Sequence, residues 1–440
     1  MLNKICKFLV LTILLAFVDL ANAQTIYFPP LTGNNWDTIP PQQLGYCTEK
    51  IDSLYAFLNT NNTKAFILLK DGKIVLEKYF GTHSQGSPWQ WASAGKTITS
   101  FIIGIAQQEG LLAITDTASK YLGTNWTSCS IVKEQKITIK HQLSMTTGLD
   151  DGVLNNHCTF DSCLVYKADA GNRWAYHNAP YTLLDKVIEN ATHTTLNLYT
   201  NQKLKTPTGM TGTFVKVGDD NVYFSNARSM ARFGILILNN GKWGNNQILT
   251  DTSYFNQMIN TSQALNKSYG YLWWLNGKSS FMLPTLQTVF NGSLSPNAPN
   301  DMIAALGKDG QFLNVVKSQN LVWVRMGNAP DNVLVPYMLN DSIWRFVNNL
   351  QCNSTGIINT NSNTTRINLY PNPCFNELNL ESNEKILSIE MYSTQGELVL
   401  REDVLSNKCK IPINNLPHGI YLVKTILSNG KVFIRKIKKD

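Results

Sequence analysis

The sequence predicts an α+β architecture: an antiparallel sheet flanked by terminal helices, with an inserted helical lobe, and then a small C-terminal β-sandwich. Three observations carry this. Strand-like runs lie at both ends of residues 24–350, with helical periodicity between them. Residues 97–108 are apolar almost all round a helical wheel, so this helix must be buried. A polar stretch rich in Asn and Thr, 351–366, reads as a linker, and the short alternating runs of 367–440 follow it.

In chain order, Lys4 and Lys7 precede an apolar run over 8–18, and Ala21-Asn22-Ala23 has the small-x-small form of a cleavage site. Residues 1–23 are therefore expected to be a secretory signal, with a mature start at Gln24. No later segment is long and apolar enough to span a bilayer as a helix. Residues 24–46 are Pro-rich and irregular. Ile51, Leu54, Tyr55 and Leu58 recur at helical spacing and predict an amphipathic helix over 49–58. Residues 65–69 and 74–80 read as strands joined by an Asp71-Gly72 turn. Helical patterns follow over 97–108, 138–145, 181–189 and most of 223–238. Strands are expected at 269–275, 302–306, 312–316 and 321–326, and a closing helix at 333–350. In the tail, 367–370, 387–392, 397–400, 420–424 and 431–434 are strand-like.

Composition narrows the function. The net charge of +8 is modest for 440 residues, and the basic residues form no dense tract interleaved with aromatics, which argues against nucleic acid as a partner. Export permits disulfides. Beyond Cys6 in the signal, seven cysteines remain, so at least one is unpaired in a monomer. Cys47 with Cys352, and Cys374 with Cys409, are the pairings considered. Cysteine spacing and scattered histidines suggest no metal site, and no cofactor is expected.

The chemistry centres on Ser93-Ala94-Gly95-Lys96. Ser93 falls at the N-terminus of the buried helix, and Lys96, three residues on, shares its helical face. A buried Lys loses pKa and can act as a base, which is how a serine nucleophile is activated. Ser-x-x-Lys recurs at Ser130, Ser382 and Ser428, but only the Ser93 copy opens a long apolar helix. Such a nucleophile also needs a proton donor for the leaving group and donors for an oxyanion. Tyr176-His177-Asn178 offers Tyr176 for the first task and Asn178 to orient Lys96 and the substrate. Lys308-Asp309-Gly310, between two expected strands, offers a Lys facing the cleft and the backbone N–H of Gln311.

Ser-x-x-Lys, Tyr-x-Asn and Lys-x-Gly in this order resemble the serine β-lactamase and penicillin-binding-protein superfamily. The similar branch contains class C β-lactamases, D-Ala-D-Ala carboxypeptidases, family VIII esterases and 6-aminohexanoate-oligomer hydrolases. Leu143-Ser144-Met145-Thr146-Thr147-Gly148-Leu149 and Tyr269-Gly270-Tyr271-Leu272-Trp273-Trp274 add to the likeness, which covers roughly 45–350. The resemblance implies an acyl-enzyme on Ser93. Lys96 would be the base, and Tyr176 would share its proton and protonate the leaving group. Asn178 and Lys308 would contact substrate, and backbone N–H groups of Ser93 and Gln311, beyond Gly310, would form the oxyanion hole. The expected substrate is a small ester or amide, with a β-lactam or peptide as further candidates. The competing expectation is a sensor that keeps the fold and binds penicilloyl or peptide groups without turnover. Asp309 replaces the Thr or Gly usual in the third motif; were it to pair with Lys308, recognition of a substrate carboxylate would suffer. The tail, with Asn368-Leu369-Tyr370-Pro371-Asn372-Pro373 and Gly419-Ile420-Tyr421-Leu422-Val423, resembles the C-terminal sorting domain of type IX secretion cargo. That implies passage through the periplasm and a partner in the secretion machinery for 367–440, ending secreted or at the cell surface.

Overall fold

The structure, a computed structural model, describes residues 26–330, 335–352, 367–394 and 396–440. The expected signal and nearly all of the expected linker lie outside these residues. The chain divides into two compact units between Gln351 and Cys352.

In the first unit a six-stranded antiparallel sheet runs in the order Lys73–Tyr79, Thr63–Lys70, Leu321–Gly327, Gln311–Val316, Met302–Gly307, Trp274–Leu275. Phe66 stands opposite Lys78 on one side and Arg325 on the other, so the first and last parts of the unit close on each other at the centre of the sheet. Leu321–Gly327 is buried at every residue, which requires cover on both faces. Successive side chains show that cover. Trp323 meets Trp344 of the Tyr337–Asn348 helix at 5.7 Å. Val322, pointing the other way, meets the Ala227–Leu238 helix so closely that a Cβ on Gly234 would lie 2.4 Å from it. The Thr48–Thr60 helix packs beside Tyr337–Asn348 through Phe57 and Phe346, stacked at 4.5 Å. The helical lobe inserted between the strands contains the Lys96–Gln108 helix, buried on all sides from Lys96 to Ala106.

Several expected elements are corrected. Residues 223–225 are strand: Asp220–Ser225 pairs with Thr213–Val217 and with Trp89–Gln90, and the helix begins only after Asn226, whose side chain caps it through Ser229 N–H at 2.8 Å. Of 269–275, only Trp274–Leu275 joins the sheet, because Gly270 N–H turns back to the Trp273 carbonyl and Leu272 sits at φ 61°. The closing helix is Tyr337–Asn348; part of its expected first turn lies outside the described residues. Cys47 and Cys352 are both disulfide-bonded, and Cys158 pairs with Cys163, a link between near neighbours that the sequence reading did not single out.

The second unit is one antiparallel sheet curled on itself around a core that includes Leu378, Leu380, Ile389, Met391, Ile411 and Val423. The long strand Glu377–Ser393 is shared. Its first half pairs with Ile367–Tyr370, its second half with Gly419–Leu427, and Leu398–Pro412 lies along its other side. Curling lets one sheet enclose a sandwich-like core. Cys374 and Cys409 do not staple it: both are free thiols. Cys374 lies against Lys439 of Val432–Lys439, whereas Cys409 stands opposite Leu380 at the far edge.

Candidate active site

Ser93 stands in a short 3-10 turn, Ala92–Gly95, that leads into the Lys96–Gln108 helix. In a 3-10 turn residues i and i+3 eclipse. Lys96 is thereby held over Ser93, and its Nζ donates to Ser93 Oγ at 3.2 Å. Three contacts fix the turn. Trp91, fully buried, donates its backbone N–H to Tyr223 O and its Nε1 to Ser225 Oγ, each at 2.8 Å. Ala92, with φ 47°, takes the left-handed conformation just before Ser93, a strain of about 1 kcal/mol for a residue with a Cβ. On the sheet side, a Cβ on Gly307 would lie 2.5 Å from Trp91 O and 2.9 Å from Ala94 N, so only glycine lets the strand touch the turn.

Lys96 is buried, and desolvation lowers its pKa to about 8 against the opposing pull of Asp220 and Asp185. Its ammonium lies 4.1 Å from the Tyr181 ring centroid and 5.5 Å from that of Tyr176. Tyr176 is also buried. Burial raises its pKa, and the nearby Ser93 hydroxyl offsets part of the rise. Of the two, Lys96 is the group that reaches its neutral, proton-accepting form near physiological pH.

Ser93, Lys96, Tyr176, Asn178 and Lys308 all line one cleft of about 340 Å³. Asn178 Nδ2 faces Asn156 Oδ1 at 3.3 Å and His157 Nε2 at 3.2 Å. Lys308 is exposed at the turn between Met302–Gly307 and Gln311–Val316. Among the described residues no ion pair joins it to Asp309, whose carboxylate instead accepts from Gln90 Nε2 at 3.5 Å. Gly310 and Gln311 are buried behind Lys308 and are not among the cleft-lining residues. The Gln311 side chain is turned inward, donating to Gly327 O at 2.6 Å and accepting from its N–H at 3.1 Å.

Two acidic residues that the sequence did not single out shape the charge here. Asp220 accepts from Thr182 Oγ1 at 3.1 Å and meets His157 Nδ1 at 2.6 Å. Burial would raise its pKa, but His157 and Lys96 hold it below the usual carboxylate value. Asp185, bonded by Asn221 Nδ2 at 2.8 Å, is buried, and desolvation lifts its pKa to about 7. Gly218-Asp219-Asp220 reads as a turn and Asp185 as an ordinary helical acid, so neither carried a signal.

The Beta-lactamase family model matches residues 63–338, and the Secretion system C-terminal sorting domain model matches 368–439. An uncharacterized protein of Alkalihalophilus pseudofirmus is 27% identical over 301 residues, 60% of this chain and 82% of the relative. Among solved structures, the penicillin-binding protein homologue from Pyrococcus abyssi, an octamer, aligns with a TM-score of 0.52 at 14% identity, over 88% of this chain and 95% of that one. A candidate 6-aminohexanoate-dimer hydrolase from Bacillus anthracis aligns with a TM-score of 0.53 at 19% identity, over 75% and 90%. At such identities the two structures are likenesses of fold. Among the described residues no helix is long and apolar enough to cross a membrane.

Proposed function

Because the chain belongs to the beta-lactamase family of penicillin-binding-protein-like hydrolases and ends in a type IX secretion sorting domain, we propose that it is a secreted or surface-held serine hydrolase of small esters or amides. The observation that carries this is the 3.2 Å contact between Ser93 Oγ and a buried lysine whose pKa is about 8. Neutral Lys96 takes the Ser93 proton as Oγ attacks the substrate carbonyl carbon. Tyr176, close to Ser93 in the same cleft, passes a proton to the leaving oxygen or nitrogen, which departs as an alcohol or amine. Water then attacks the acyl-Ser93 ester, giving a proton to the Tyr176 oxygen while the Lys96 ammonium returns one to the departing Ser93 Oγ, which releases a carboxylic acid and restores all three groups. In this scheme the backbone N–H of Ser93 is an oxyanion donor on the cleft wall, Asn178 contacts the substrate, and exposed Lys308, which has no carboxylate paired to it among the described residues, suits an anionic substituent.

Residues 1–23 act in this reading as a signal for the periplasm, 24–350 as the hydrolase, 351–366 as a linker, and 367–440 as the part that engages the secretion machinery. The test is hydrolysis of p-nitrophenyl acetate by the mature chain and by Ser93→Ala, with intact-mass detection of an acetyl adduct. Loss of both turnover and adduct in the variant is expected. Equal rates in the two proteins overturn the assignment, and a stable adduct without turnover points to an acyl-binding sensor.

A further inference from the structure

A second cavity adjoins the cleft. Pro284, Thr285 and Val335 line both the polar cleft and an apolar chamber of about 210 Å³, whose walls add Trp274, Leu283, Leu286, Leu294, Leu306 and Tyr337. The dividing wall is built. Its Pro284 and Thr285 belong to the connection between the short paired strands Ser280–Phe281 and Phe290–Asn291, whose Phe281 and Phe290 rings stack at 5.3 Å. Gln287 Nε2 ties it to Trp174 O at 3.1 Å, and Met282 N–H is held by Asn266 Oδ1 at 3.1 Å. Thr285 itself stands at φ 65°, a conformation that β-branched residues rarely adopt. Backbone strain at the boundary of two chambers marks a position held by its surroundings.

The chamber adjoins one side of the reaction centre. Trp274 lies nearly parallel to the Tyr176 ring, with 6.0 Å between centroids and 16° between planes. One aromatic layer therefore separates the apolar space from the Tyr176 ring. Resting on the reading above, we infer that the chamber receives an apolar group on the leaving portion of the substrate, an alkyl or aryl alcohol or amine of about six to eight carbons. The side follows from Tyr176, which hands its proton to the leaving atom: when the acyl C–O or C–N bond breaks, the fragment carrying that proton lies next to Tyr176 and Trp274. The size follows from volume, since an apolar cavity of about 150 Å³ holds a benzene ring. The chemistry follows from the lining, where four leucines, Val335 and the rings of Trp274 and Tyr337 offer dispersion and desolvation and no charge. With Lys308 exposed on the polar cleft, the preferred substrate is amphiphilic, polar near the carbonyl and apolar beyond the scissile bond.

Two ester series test this on the full mature chain. In acetate esters of ethanol, butanol, hexanol and octanol, followed by acid release, kcat/KM should rise by up to about fourfold per methylene and level off between hexanol and octanol. In p-nitrophenyl esters of lengthening acyl chain, with the nitrophenyl ring in the chamber, it should stay nearly flat. Leu286→Asp places a charge at the chamber rim, at a side chain 43% exposed, so folding should be preserved; the hexyl-to-ethyl ratio should fall at least tenfold. A steep acyl series with a flat alcohol series overturns the placement, as does an unchanged ratio in Leu286→Asp. Ser93→Ala run alongside separates the two ideas: rates surviving in it sink the nucleophile, whereas Ser93-dependent rates without an alcohol-length trend sink the chamber. Calorimetry with 1-hexanol and ethanol reads the chamber without chemistry. At least tenfold tighter binding of hexanol, lost in Leu286→Asp, supports it even without turnover, and equal binding of the two overturns it.

Discussion

The ammonium of Lys96 lies 4.1 Å from the centre of the Tyr181 ring, a contact that orients the lysine. Tyr181 is held in turn through its hydroxyl, 3.3 Å from Thr99 Oγ1 on the same helix as Lys96. Tyr181→Phe keeps the ring and should leave kcat within about threefold. Tyr181→Leu removes it and should lower kcat about tenfold. Lys96→Ala, which deletes the base, should lower kcat by about a thousandfold. Steady-state kinetics on the three variants checks the order, and equal losses in Phe and Leu would show that the hydroxyl, not the ring, is what matters.

The pH profile follows from the same lysine. Its folded pKa, about 8, lies below the ordinary 10.5, and the neutral amine is the active form. The rate kcat/KM should therefore rise about tenfold per pH unit below pH 8 and flatten above it. Asp220 and Asp185 both favour the charged amine, so Asp220→Asn should move this rising limb to lower pH by up to about one unit. A limb that stays in place in Asp220→Asn would detach the carboxylate from Lys96.

Asp185 gives a stability prediction with a definite sign. Its folded pKa, about 7, lies above the ordinary 3.8 because burial penalises the charged form. Between these values the folded chain holds a proton that the unfolded chain has lost, so the stability contributed by this group falls as pH rises from about 4 to 7. Asp185→Asn keeps the bond with Asn221 and removes the titration. Its melting temperature should exceed that of the parent by a few degrees at pH 8, with the gain shrinking towards pH 4. Thermal denaturation at the two pH values decides it.

Gly307 sets the distance between the sheet and the Ser93 turn. In Gly307→Ala the new methyl meets backbone atoms of Trp91 and Ala94 that cannot rotate away. A shift of about 1 Å at the turn should lower kcat by about a hundredfold, with KM changing much less. A variant with parental kcat would mean that the strand can retreat without moving Ser93.

The tail yields a cellular prediction. A chain truncated after Cys352, which keeps both disulfide-bonded cysteines Cys47 and Cys352, should keep its esterase activity in extracts but remain inside the outer membrane, whereas the parent reaches the surface or medium. Export of the truncated chain would remove the role proposed for residues 367–440.

Sequence by itself determined the elements whose reason is local or periodic. The all-round apolar face of 97–108 required a buried helix, and the three-residue spacing of Ser93 and Lys96 put both on one face. Opposed strand runs at 65–69 and 321–326 implied a sheet closed from both ends, and the alternating tail formed its own unit. What failed lay where neighbours distant in sequence override a local pattern. Tyr223-Phe224-Ser225 looked continuous with a helix until pairing with Thr213–Val217 made it strand. Residues 269–271 looked like strand until the turn at Leu272 took them off the sheet. Cys374 and Cys409 looked like partners until the curl of one sheet put them at opposite edges. Only the tertiary structure decided the lysine's surroundings: Tyr181 beneath it, Asp185 and Asp220 beside it, and a leucine-lined chamber beyond Thr285. A pKa and a pocket depend on which groups surround an atom in space and how much water they exclude, and no spacing along the chain encodes that.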